Sequence, residues 1–177
     1  MNRLTFFALL LIFISCKTSY LDTKDSIVKL ADNSYLDCRP YSNLYHFEND
    51  IKLRAGRQFW ETATFEIELP KNILEIRSIN YDEFLVSFPS SKYYYIDINQ
   101  KEDYRNTVFS VNQFKFDDFD KLDFGLNLLD NVSFKNNRSS YVIQGERVSI
   151  YVFNLYKDEV ADHIEKAKSF RFINENE

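Results

Sequence analysis

The sequence predicts an α+β fold, mainly antiparallel sheet with helices on one face, one of them C-terminal. Short β-like runs between Phe65 and Ile98 are separated by turns too brief for parallel crossovers. Gly145-Glu146 stands between two further β-like runs, the pattern of a hairpin with a tight turn. Beyond Tyr156, apolar residues recur at helical spacing.

Taken in chain order, the elements begin with a targeting segment. Arg3 is followed by an apolar run, Leu4 to Ile14, broken only by Thr5. A spanning helix needs about 18 apolar residues or more, so the run is too short to cross a bilayer and fits the core of an export signal. It ends Phe13-Ile14-Ser15-Cys16. These four residues resemble the lipobox of bacterial lipoproteins. The resemblance implies cleavage before Cys16, a diacylglyceryl thioether on its thiol and an acylated amine, with fatty acids such as palmitate. Richness in Asn, Lys, Ile, Phe and Tyr with only three Gly resembles Bacteroidota proteins. Lys17 follows the cysteine with no acid beside it, which points to the outer membrane, facing the periplasm.

The expected division is residues 1–15 as lipoprotein signal peptide, 16–34 as lipidated tether and 35–177 as a single α+β domain. Within the domain, Phe65-Glu66-Ile67-Glu68-Leu69 alternates as a half-buried strand does, and Pro70 ends it because proline has no N–H for a ladder. Phe65 to Lys71 also resembles, over about seven residues, the start of PsbP-like domains, which implies an α/β sandwich and no site residue. Ile73–Ile79, Glu83–Phe88, Lys92–Ile98 and Val108–Phe116 read as further strands. Phe119, Leu122, Leu126 and Leu129 recur at helical spacing behind Asp117 and Asp118. Ser140–Gln144 and Arg147–Leu155 form the arms of the hairpin, with Val148, Ile150 and Val152 on one side and Ser149, Tyr151 and Phe153 on the other. A helix follows over Tyr156–Phe170, with Asn154 as its expected cap and Val160, Ile164, Ala167 and Phe170 as its apolar stripe.

Composition narrows the chemistry. The net charge is −5 with no basic stripe, which argues against a nucleic-acid partner. With Cys16 lipidated, Cys38 has no disulfide partner in the chain and reads as a small buried hydrophobe. No Gly-x-Ser-x-Gly elbow and no phosphate-binding loop occur. Cys38 with His46 is the one conceivable thiolate–imidazole pair. His46 with Glu48, and Glu159 with His163, are each short of a closed metal site, and Asp117 to Asp123 fails the EF-hand pattern. Aromatics are abundant, with 17 Phe, 12 Tyr and one Trp, and Trp60, Tyr93 and Tyr95 are the candidates for stacking on a sugar or gripping a partner.

These readings imply a non-enzymatic, membrane-anchored envelope lipoprotein, attached through lipid on Cys16, that binds a protein, peptide or glycan. Two alternatives remain open: a small hydrolase or metal-dependent enzyme of the envelope using Cys38, His46 or His163, and an inhibitor or immunity lipoprotein. No cofactor and no metal is expected.

Overall fold

The structure, a computed structural model, describes residues 19–30, 34–48, 52–55, 58–61, 64–79, 82–98, 108–115 and 135–173. Its strands are β1 (Ile27–Lys29), β2 (Tyr35–Cys38), β3 (Asn43–Phe47), β4 (Lys52–Ala55), β5 (Gln58–Glu61), β6 (Phe65–Leu69), β7 (Glu75–Ser78), β8 (Glu83–Phe88), β9 (Lys92–Ile98), β10 (Ser110–Phe114), β11 (Ser139–Gln144), β12 (Val148–Leu155) and β13 (Arg171–Phe172). One α-helix occurs among the described residues, α1 (Val160–Lys168).

All strand pairings among the described residues are antiparallel, which fits strands joined by short turns. One sheet has the order β1-β2-β3-β6-β13, a second β10-β11-β12-β9-β8-β7, and β4-β5 form a separate ribbon. The two larger sheets share one core. Alternation drives Leu36, Cys38, Tyr45, Phe47, Phe65, Ile67 and Leu69 inward from the first sheet, and Phe84, Val86, Tyr94, Ile96, Ile150 and Val152 from the second. Aromatic rings join them. Phe84 meets Phe47 at 4.6 Å and Phe65 at 5.1 Å, in edge-on geometries that suit ring quadrupoles. The other face of the six-stranded sheet carries a second cluster of Leu85, Tyr95, Tyr151 and Phe153, so this sheet is apolar on both sides.

Several expectations hold at the level of residues. The alternation of 65–69 buries Phe65, Ile67 and Leu69. In the hairpin Val148, Ile150 and Val152 face the main core while Tyr151 and Phe153 face the second cluster. Gly145 N–H donates to Val148 O at 2.8 Å, closing the turn around Glu146 and Arg147.

Others need correction. The tether expected over 16–34 is partly folded: β1 pairs with β2, Leu21 N–H donates to Ile73 O at 2.8 Å, and Asp22 is 6% exposed. The Asp22 carboxylate accepts hydrogen bonds from Asn43 Nδ2 (2.9 Å) and from the backbone N–H groups of Asn72 (2.8 Å) and Ile73 (3.0 Å). One buried acid thus satisfies three donors and fastens the segment to the β6–β7 connection. Asn154 does not cap the helix. It lies inside β12 at φ 61°, where two residues oppose one of β11, and its side chain accepts from Lys135 N–H and donates to Ser91 O. The helix starts later, at Val160, with Glu159 before it and no side-chain cap. Nor does α1 lie across one sheet face. It touches β6 of the first sheet and β11 and β12 of the second, because His163, Ala167 and Phe170 bury where the sheets meet. The helix expected from Phe119 to Leu129 lies outside the described residues.

Candidate functional site

The outward face of the five-stranded sheet holds the most organised polar constellation. The register places Lys29 beside Tyr35, Tyr35 beside His46, His46 beside Glu66, and Glu66 beside Arg171, one row across all five strands. Period-two alternation explains why these residues point out while Leu36, Tyr45, Phe65 and Phe172 point toward the core or its margin. The Tyr35 and His46 rings stack at 4.6 Å with planes 16° apart. His46 Nδ1 lies 3.1 Å from Glu66 Oε1, and Arg171 Nε donates to Glu66 Oε2 at 3.1 Å. Burial alone would raise the Glu66 carboxyl, but the hydrogen bonds from Arg171 and His46 outweigh it and hold it below the usual carboxylate range. An ionised Glu66 only accepts, so the proton of the His46–Glu66 bond sits on Nδ1.

Beside this row lies an open groove of about 530 Å³. Tyr35 and Leu44 with Ile27 supply apolar lining, and Lys29, Asp37, Arg39 and Glu48 supply charge of both signs. The volume falls within the range of ligand-sized clefts. Its outer wall is β1, the edge strand of this sheet among the described residues. Ser26 O and Leu30 N–H bond toward β2, so by the alternation of an antiparallel ladder the backbone groups of Ile27 and Lys29 face away from it. Ile27 is 65% exposed.

A second polar knot surrounds the β8–β9 turn. Ser90 and Ser91 both adopt positive φ, 63° and 59°, an unfavourable conformation for residues with a Cβ. It is held from the neighbouring strand: Asn154 Nδ2 donates to Ser91 O at 2.6 Å, and Arg138 donates to Ser90 O while its guanidinium covers the Tyr156 ring. A smaller groove of about 340 Å³ beside it is bordered by Tyr93, Arg77 and Ser87.

The residues expected from sequence are dispersed. Cys38 is buried, its thiol pushed up by burial and then by Asp22, and it faces the core, whereas His46 is on the opposite face of the same sheet. Cys38 pairs with Asn43 and His46 with Tyr35, three ladder positions apart, about 10 Å. They form no nucleophile–base pair. His163 is buried against Tyr94, whose hydroxyl lies 3.0 Å from His163 Nδ1 and donates to His163 O at 3.0 Å. Burial, with Lys92 adding to it, pushes the imidazole down to about 4, so it is neutral near pH 7. Glu159 turns instead to Lys92, at 2.7 Å. Glu48 is exposed, and no group of three or more potential metal ligands occurs among the described residues.

Tyr93 and Tyr95 do share a face opposite Tyr94, as alternation requires. Tyr95 is only 2% exposed and serves packing, while Tyr93 is partly exposed at the smaller groove. The side chain of Trp60 in β5, Cys16, and Asp117 to Asp123 lie outside the described residues. Sequence reasoning missed Tyr35, Glu66 and Arg171. Each is separately ordinary, and only the strand register, across up to 136 positions from Tyr35 to Arg171, makes them neighbours.

Compared with known proteins, the chain matches no family model, no curated protein and no solved structure.

Proposed function

We propose that this chain is a non-enzymatic envelope lipoprotein, held through lipid on Cys16 at the outer membrane facing the periplasm, that binds an extended segment of a partner protein on the outer face of its five-stranded sheet. The observation that carries this reading is the groove of about 530 Å³ whose wall is the edge strand β1. An added strand would take backbone hydrogen bonds from Ile27 and Lys29, and its alternate side chains would lie beside those of Ile27 and Lys29 at the rim of the groove. Mixed charge at Lys29, Asp37, Arg39 and Glu48 would set register rather than supply affinity. The catalytic alternative has less support: Cys38, His46 and His163 occupy three separate environments.

Photo-crosslinking from position 29 in full-length protein on its native membranes tests the proposal. The expected outcome is one discrete adduct with a partner, lost when Ile27→Pro removes an outward backbone donor from β1. An adduct pattern identical to that from exposed position 108, just before the other sheet's β10, would defeat it.

A further inference from the structure

We infer that the β2–β3 hairpin tip, with Tyr41 at its apex, rests in the headgroup layer of the membrane and orients the domain upon it. The inference depends on the lipid anchor at Cys16 proposed above. Only four residues, Lys17 to Tyr20, separate Cys16 from Leu21, where the chain is already bonded to Ile73 O and packed against the core. Fully extended, the five Cα-to-Cα steps from Cys16 to Leu21 span about 18 Å. The part of the fold nearest Leu21 is therefore held at the bilayer surface rather than on a stalk.

That part includes the hairpin tip. Asp22, buried beside Leu21, lies 3.5 Å from Lys71 Nζ, and the same ammonium donates to Arg39 O at 2.8 Å. Arg39 N–H donates to Ser42 O at 3.0 Å, which closes a four-residue turn with Pro40 and Tyr41 in its two central positions. A single lysine side chain thus links the point where the anchored chain joins the fold to the tip. Tyr41 is 90% exposed, the most exposed of the large apolar and aromatic side chains among the described residues. Such exposure wastes a large ring in water, whereas tyrosine suits a membrane interface, with its apolar body toward the acyl chains and its hydroxyl toward water.

Charge tells what kind of contact this is. Arg39 pairs with Asp37 at 2.9 Å and Lys71 with Asp22, so the tip presents no surplus of positive charge. The contact is an aromatic insertion, insensitive to salt and to the anionic lipid fraction, unlike a polybasic patch. Arg39 and Asp37 also border the larger groove, so this orientation places one end of the groove at the membrane and the Glu48 end toward the periplasm.

The test uses the full-length lipidated protein in phosphatidylethanolamine–phosphatidylglycerol vesicles containing lipids brominated on their acyl chains. Tyr41→Trp is compared with Val108→Trp, an exposed position just before β10 of the six-stranded sheet, after subtracting the Trp60 emission of the unsubstituted chain. The mass of the Cys16 peptide is measured on the same sample. The inference expects quenching of Tyr41→Trp about twofold beyond that of Val108→Trp, unchanged by high salt. Equal quenching at the two positions on a chain that carries its lipid overturns the inference and leaves the anchor standing. An unmodified Cys16 overturns the anchor and the inference with it.

Discussion

Acidification through the ordinary range of a histidine should weaken this fold, and His163 is the reason. Its imidazole is 4% exposed, and burial, with Lys92 adding to it, pushes its pKa down from 6.5 to about 4. In the unfolded chain the ring takes a proton as pH falls through 6.5, whereas in the folded chain it resists until about 4. The unfolded state therefore binds more protons across that window, and stability falls as pH falls. From these two values the loss is about 2 kcal/mol between pH 8 and pH 5, and about 3 kcal/mol once both states are protonated. Stopping at pH 5 stays above the range where Glu66 and Glu159, both held below their ordinary value, take up protons. Urea unfolding of the native sequence and of His163→Gln, each at several pH values from 8 to 5, isolates the effect. His46 and the raised carboxyl of Asp97 are common to both chains. The native chain should lose about 2 kcal/mol more than the variant over this range. Parallel pH dependence in the two chains would refute the assignment of a buried neutral imidazole.

Replacing Glu66 with Gln keeps its size but removes the charge that Arg171 and His46 share, and should cost about 1–2 kcal/mol in urea unfolding at pH 7. Because the folded Glu66 carboxyl is lowered, that stability exists above its unfolded pKa and disappears as acid protonates the folded form, so the cost should shrink at low pH. Glu48→Gln, at an exposed position, should change stability by less than about 0.5 kcal/mol. Thiol titration of the protein from its native membranes should find no reactive thiol in the native state and one per chain in denaturant, since Cys38 is buried with its pKa raised and the proposed lipid would block Cys16. Two thiols in denaturant would contradict the anchor. Asn154→Ala and Asn154→Gly both lose the bonds to Lys135 and Ser91, but the alanine should unfold more easily by about 1 kcal/mol, because φ is 61° there.

The sequence revealed the six-stranded sheet better than the five-stranded one. In β8, β9, β11 and β12 the apolar runs are long and the turns carry proline, serine or glycine, so strand positions and faces could be read directly. The strands β1, β2 and β3 are three to five residues long and mix Asp, Lys, Asn and His with their apolar residues. Local pattern cannot separate such runs from a polar tether, and here tertiary pairing decides. Asp22 shows the same limit: its structural role depends on Asn43, Asn72 and Ile73 converging from elsewhere in the chain. Asn154 has the residue type of a cap, but its pairing with β11 places it in a bulge. The Tyr35–His46–Glu66–Arg171 row was invisible for a related reason, since the alternation of each strand fixes a face but no alternation fixes which strands lie side by side.

The central claim is attachment through Cys16, on which the location, the short tether and the orientation of the groove all depend. Intact mass spectrometry of the protein extracted by detergent from the membranes of its own cells tests it most directly. The account predicts a chain of 162 residues, obtained as 177 minus the 15 of the signal, beginning at Cys16 and heavier by a diacylglyceryl group and an amine-linked acyl chain. A chain cut elsewhere, or one whose Cys16 carries a free thiol, would contradict it.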